Sequence, residues 1–280
     1  MRVACCQISP QVESPDRSTQ LALDAISAAV AGGAELIVLP ELANSGYVFD
    51  RAEEARTAAV PPGADLIRDW GREAAKGDAI LVAGFCELAP DGRVFNSSVL
   101  IDGDQVLGVY RKLHLWGQEP KWFSAGEAPA PVISTRLGRI GLGVCYDIEF
   151  PELTRGLALD GAELIALPAN WPFEEPAPGA RPILHGLAAM TAYWSKVFVA
   201  VCDRCGTERD VEFEGGSVIA APNGELLAGP VAGRGAEILY ADCDLATAAN
   251  KRVGAHNDAF ADRRPEHYVS GLRQGRAGQR

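Results

Sequence analysis

Short, continuous apolar runs alternate along the chain with stretches in which apolar residues recur every three or four positions. The runs RVACCQI (2–8), ELIVLP (35–40) and AILVAGF (79–85) predict buried strands. Between the first two, Ser14-Pro15 predicts an N-cap with proline at the first helical position, and Ala22, Ala25, Ile26, Ala29 and Val30 share one face. Gly32-Gly33 ends that helix. Leu66, Ile67, Trp70 and Ala74 predict a second helix that stops at Gly77. SSVLI (97–101) and QVLGVYRKLHL (105–115) predict a hairpin around Gly103, and VISTRL (132–137) and IGLGVC (140–145) another around Gly138-Arg139. A helix over 151–159, a strand at 163–168 and a strand at 196–202 follow. Ile183, Leu187, Met190 and Trp194 form one helical stripe before that last strand. Asn223-Gly224 predicts a tight turn between 216–222 and 225–230, and EILYADCDL (237–245) is the last strand. Strand–helix alternation mixed with hairpins predicts an α/β fold with mixed sheets.

A near-repeat lies within this pattern. GAELIVLPE (33–41) and GAELIALPA (161–169) match almost letter for letter, which predicts two related halves. Glu41 and Asn170 then lie at the carboxyl ends of equivalent strands, the edge where open α/β sheets place ligands. Composition changes the picture only by exclusion. With 280 residues, 48% apolar and 22% charged, the chain is globular and needs no crosslinks to fold. A net charge of −11 argues against nucleic acid as a partner. The 7 cysteines are scattered and odd in number, so a reducing compartment is expected. The N-terminus is too short in apolar residues for a signal peptide, and no run approaches the roughly 20 residues of a membrane span. The expectation is a cytoplasmic protein with one domain over 1–270, a surface loop at 172–182 and a flexible tail at 271–280.

Several residues could carry chemistry. Cys145 closes an apolar run and opens a helix-prone stretch, where free N–H groups favour a thiolate. A small buried inert cysteine is the alternative. Glu41 directly follows a buried strand, where a carboxylate is costly unless paired, or else sits just past the strand end in solvent. Strict alternation through 105–115 and on to Trp116 puts Tyr110, Lys112, His114 and Trp116 on one face, either functional or a solvated edge. Glu119 follows past a Gly-Gln turn. Tyr47, Trp116, Trp122, Asn170 and Trp171 are pocket or packing residues. Cys202-Asp-Arg-Cys205 lacks a partner pair for zinc or a helix start for redox work. The histidines are too dispersed for a metal site, and no phosphate-binding glycine loop occurs.

LPELANSGY (39–47), YRKLHLWGQE (110–119) and GVCYDIEFPEL (143–153) together resemble the glutamate, lysine and cysteine motifs of the nitrilase superfamily of carbon–nitrogen hydrolases. GGSVIAAPNGELLA (215–228) resembles the family's late hairpin. The resemblance implies an α-β-β-α sandwich with two pseudo-symmetric halves, no cofactor, and homo-oligomers, often dimers packed across helices. It implies Cys145 as nucleophile, Glu41 as general base and acid, Lys112 as oxyanion stabiliser and Glu119 as the second glutamate. His114 is expected to be structural. Tyr47, Trp116, Tyr146, Asn170 and Trp171 are the expected substrate contacts. Tyr146-Asp147 is similar to amide-cleaving members, whereas nitrilases carry Trp-Glu there. The expected reaction is hydrolysis of a small aliphatic amide or ω-amide to acid and ammonia through a Cys145 thioester. The alternatives are an N-carbamoyl-amine hydrolase or nitrilase on the same site, and, more remotely, a non-catalytic binding protein.

Overall fold

The computed structural model describes residues 1–175, 183–231 and 235–268, so part of the predicted 172–182 loop and the whole 271–280 tail lie outside the described residues. In the first half, β1 (Arg2–Gln7), β2 (Leu36–Val38), β3 (Ile80–Leu88), β4 (Val94–Asp102) and β5 (Gln105–Arg111) alternate with α1 (Pro15–Ala31), α2 (Ala52–Ala58) and α3 (Asp65–Ala75). The second half adds β6 (Val132–Thr135), β7 (Gly138–Leu142), α4 (Pro151–Leu159), β8 (Leu164–Ala169), α5 (Ile183–Ser195) and β9 (Phe198–Asp203). It closes with β10 (Thr207–Glu208), β11 (Val211–Glu212), β12 (Val218–Ala220), β13 (Leu226–Ala228) and β14 (Glu237–Asp242).

The larger strands form two six-stranded sheets, ordered β14-β1-β2-β3-β4-β5 and β6-β7-β8-β9-β12-β13. Read in that order, each sheet runs antiparallel, parallel, parallel, antiparallel, antiparallel. The repeat strands β2 and β8 occupy the same place in each, flanked on both sides by parallel neighbours. The two halves are therefore copies of one topology, except that the last strand, β14, returns to the edge of the first sheet.

Period-two alternation explains the layering. Val3, Cys5, Leu36, Val38, Ile80 and Val82 point into the core between the sheets, where β1 packs on β9. Their neighbours Ala4, Cys6, Ile37, Leu39, Leu81 and Ala83 point the other way, against Ile26, Ala29, Ile67 and Trp70 of α1 and α3. Both faces being buried, each large aliphatic side chain contributes about 1.5–3 kcal/mol of burial free energy. Helices α4 and α5 cover the second sheet, completing an α-β-β-α sandwich.

Two local expectations change, and one helix was not expected. Most of the predicted α5 stripe faces outward: Ile183, Met190 and Trp194 are exposed and Leu187 alone packs on the core, while Ala188, Thr191, Ala192 and Ser195 are buried. The helix is apolar nearly all round, so periodicity does not choose its inner face, and small side chains let it approach the sheet closely. The strand over 105–115 stops at Arg111, so strict alternation fails beyond it. Helix α2 buries only Ala55 and carries no apolar stripe to announce it.

Candidate active site

The chain ends of β2, β5, β7 and β8 meet at one edge of the sandwich. Past β2, Leu39-Pro40 leads to Glu41, and Leu42 takes a left-handed φ of 52°. Glu41 sits directly over β3: a Cβ on Gly84 would lie 2.4 Å from its Cα, so only glycine fits there. The Glu41 N–H donates to the Ala169 carbonyl at the end of β8 (3.4 Å), tying the two halves together. Lys112 follows β5 with its N–H on Asn96 O (2.9 Å) and its carbonyl accepting from Gly126 N–H (2.8 Å). Glu119 opens a 3-10 turn. Cys145 opens another, Cys145–Glu149, with φ 48°, a conformation costly for a non-glycine residue.

Side chains far apart in sequence converge there. The Lys112 ammonium donates to Glu41 Oε1 and Glu119 Oε1, both at 2.7 Å. Asn96 Nδ2 also donates to Glu41 Oε1 (2.7 Å), and the Tyr47 hydroxyl to Glu119 Oε1 (2.7 Å). Trp116 N–H donates to Glu119 Oε2 (3.3 Å). Glu41, Lys112 and Glu119 are fully buried, and Cys145 is buried beside them. The Asn170 backbone N–H donates to the Cys145 sulfur. Among the described residues, Glu41 Oε2, both amide atoms of Asn170 and Trp171 Nε1 are buried without a hydrogen-bond partner.

Burial dominates the electrostatics. It raises Glu41 to about 7, a rise that the Lys112 charge opposes and the Glu119 charge reinforces. Lys112 stays firmly protonated, because the charges of Glu119 and Glu41 outweigh its burial. Burial, then the negative charge of Glu41, pushes the Cys145 thiol well above its ordinary value, against the pull of Lys112 and the Asn170 N–H. The resting sulfur is thus a neutral thiol. This corrects the expectation that a helix start would favour the thiolate: the turn here is short, and two buried carboxylates face the sulfur. Burial and the neighbouring carboxylates likewise hold Tyr47 as a protonated donor.

The structure brings the expected Glu41, Lys112, Glu119 and Cys145 together, with Tyr47 and the Asn170 backbone in contact with them. Trp171 is buried next to Asn170, its backbone N–H donating to Asp203 Oδ1 (2.9 Å). The Tyr146 ring is half-buried, edge-on to Phe150. Trp116 differs: its side chain is 38% exposed, and only its backbone reaches Glu119. His114 holds Asp147 Oδ1 through Nδ1 (2.7 Å) and stacks on Phe150 (3.5 Å). Cys202 and Cys205 are buried, and burial pushes Cys205 up to about 11. Asn96 went unread, and Asp147 entered only as the residue after Tyr146, with no role. Asn96 lies in a buried Asn-Ser-Ser triplet within β4, a polar interruption that could have flagged it. Asp147 is fully buried and accepts from Tyr110 OH (2.8 Å), Val144 N–H (3.0 Å) and His114 N–H (3.2 Å), which locks the Cys145 turn to the end of β5.

A buried carboxyl near neutrality, an ammonium with a donor to spare, and a thiol form a set suited to acyl transfer, and known proteins carry the same reading. The family model described as carbon-nitrogen hydrolase matches residues 2–253. A protein named nitrilase from Pyrococcus abyssi is 37% identical over 96% of this chain and 99% of its own. N-carbamoylputrescine amidase of Solanum lycopersicum is 33% identical over 87% of this chain and 85% of its own. The crystal structure of an amidase from Nesterenkonia sp. superposes with a TM-score of 0.77 at 30% identity, covering 95% of this chain and 94% of that one. Further structures of a Nesterenkonia sp. AN1 amidase show acrylamide added at its active-site cysteine and a mutant in complex with butyramide. Fold, buried polar cluster and these relatives agree: the chain belongs to the carbon–nitrogen hydrolases of the nitrilase superfamily, as an amidase-type enzyme acting on non-peptide bonds.

Proposed function

We propose that the chain hydrolyses short amides, above all ω-amides of short dicarboxylates, to the acid and ammonia through a Cys145 thioester. The observation that supports this most is Glu41: a buried carboxyl held near 7, with Oε2 unpartnered, beside a neutral thiol and a firmly charged lysine. Glu41 takes the Cys145 proton as the sulfur attacks the amide carbon. Lys112 has three N–H donors and uses two on Glu41 and Glu119, so the third is free for the developing oxyanion, with the Tyr146 N–H as a second donor. Glu41 returns the proton to the departing nitrogen, and ammonia leaves. Glu41 then draws a proton from water, which attacks the thioester; the acid departs and the thiol is restored. Glu119, gripped by Lys112 and Tyr47, holds substrate in line.

The buried, unpartnered Asn170 amide and Trp171 indole N–H favour a substrate with a second polar group over a bare aliphatic chain. The butyramide complex of the Nesterenkonia amidase supports short acyl groups. We also read residues 1–270 as one domain of a homo-oligomer, because Met190, Tyr193 and Trp194 of α5 and Leu159 of α4 leave an apolar outer face that a second copy would cover. Among the described residues, no helix is long and apolar enough to cross a membrane. All 7 cysteines are free and buried, which fits a cytoplasmic location.

The test is a kcat/KM panel of butyramide, a dicarboxylate ω-amide, an N-carbamoyl amine and the matching nitrile. Preference for the ω-amide is expected. A clear preference for the nitrile or carbamoyl amine overturns the substrate assignment but not the Cys145 chemistry.

A further inference from the structure

A buried ion pair in the second half grips the residue that grips Glu119. Arg204 follows β9, and its backbone N–H donates to Ala169 O (3.1 Å), the carbonyl that also accepts from Glu41. Its side chain is fully buried. Its Nη1 donates to Glu208 Oε2 (2.6 Å) and its Nη2 to Pro10 O (2.6 Å). The guanidinium also lies 4.0 Å from the Phe213 ring centroid, and Phe213 meets the Tyr47 ring edge-on at 6.1 Å.

Glu208, 2% exposed, receives more than its arginine. Its Oε2 accepts from the Tyr47 and Val48 N–H groups, both at 2.9 Å, and its Oε1 from Val12 N–H at 2.6 Å. The preceding Gly46 has φ 77°, and a Cβ there would fall 2.2 Å from Glu208 Oε1, so the turn is built around this carboxylate. Tyr47 is thereby held at its backbone by Glu208 and at its ring by Phe213. Its hydroxyl reaches the same Glu119 oxygen that Lys112 uses.

We propose that Arg204 and Glu208 are positioning residues for the amidase reaction, aiming Tyr47 and through it Glu119 at the substrate. This rests on the role given to Glu119 above. The chemistry selects a carboxylate: every group facing Glu208 in these bonds is a donor. A glutamine must present its NH2 either to Val12 N–H or to the three donors at Oε2, and orphans at least one of them. A displacement near 1 Å in a group that aligns substrate costs on the order of 100-fold in rate. The ion pair alone is no argument for stability, since buried pairs seldom exceed their desolvation cost.

The experiment is a double-mutant cycle on the full chain with Glu208→Gln and Tyr47→Phe, read as kcat, KM and the rate of Cys145 alkylation by iodoacetamide. Glu208→Gln is expected to lower kcat about tenfold or more with little change in KM. Alkylation should stay near wild type, because Glu41 and Cys145 are untouched. The double variant should be no slower than Tyr47→Phe alone, since both act through one contact. Additive losses, or a lower Tm with kcat intact, would overturn the proposal and leave a structural pair. Should Glu208→Gln not fold, Arg204→Lys is expected to show the same pattern, as one ammonium cannot serve Glu208, Pro10 and Phe213 together. If Glu119→Gln leaves kcat unchanged, it is the reading of Glu119 that fails, a result separate from additivity in the cycle.

Discussion

At the scale of single residues, the site runs on protons displaced from their ordinary positions. The Cys145 thiol is neutral at rest, so attack depends on Glu41 being ionised to receive its proton. We expect kcat/KM to rise through an acid limb near pH 7 and to level off above it, measured with a neutral amide across pH 5 to 9. Glu119 adds like charge to Glu41, so Glu119→Gln should move the limb of the residual rate to lower pH; a shift upward would refute that coupling. Cys145→Ala should abolish turnover and leave Tm near wild type, and any normal rate in that variant removes the mechanism. Stability runs opposite to activity. Burial holds Glu41 at about 7 against an ordinary 4.5, and Asp203 at about 7 against 3.8. The folded state therefore binds more protons across that interval, and the stability linked to these groups falls as pH rises from about 4 to 7. Tm should fall over this interval in the wild type and less steeply in Glu41→Gln.

At the scale of elements, the site is made by the places where strands stop. Strand β5 ends at Arg111 and frees Lys112 to turn inward, while β7 ends at Leu142 and lets the Cys145 turn begin. Asp147 joins these two ends through Tyr110, Val144 and His114. Asp147→Asn keeps the shape but sets an amide N–H against a donor, and should cost about 1–3 kcal/mol in urea unfolding. kcat should drop with it, because the sulfur's aim depends on that turn. Unaltered unfolding would show that the amide finds another arrangement. The end of β5 also shows where pattern reading fails. Alternation assigns Trp116 to the face of Lys112 only if the strand continues, and it does not, so Trp116 turns to solvent.

At the scale of the whole molecule, two copies of one sheet topology face each other, and their equivalent strand ends supply Glu41 from one and the Asn170 N–H from the other. The outer face of α4 and α5 is an apolar surface of that arrangement. Met190 is 46% and Tyr193 42% exposed, beside Trp194 and Leu159. Light scattering should give a mass of at least a dimer, and Met190→Lys with Trp194→Glu should lower it without unfolding the sandwich, as none of these side chains enters the core. A monomeric wild type would sink the oligomer.

The sequence by itself determined the order of the larger elements, the two halves and the strand ends that carry Glu41 and Cys145. These are readable because period, turn residues and repeat are local properties, set by neighbours along the chain. It also determined the ordered glutamate, lysine and cysteine motifs, since residue type survives without geometry. Only the tertiary structure decided which face of α5 is inner, that Asn96 and Tyr47 complete the carboxylate pair, and that Cys145 rests as a thiol. Those depend on through-space partners, such as Glu41 and Lys112, 71 positions apart, whose charges and shared burial act across a few ångströms that no local pattern records.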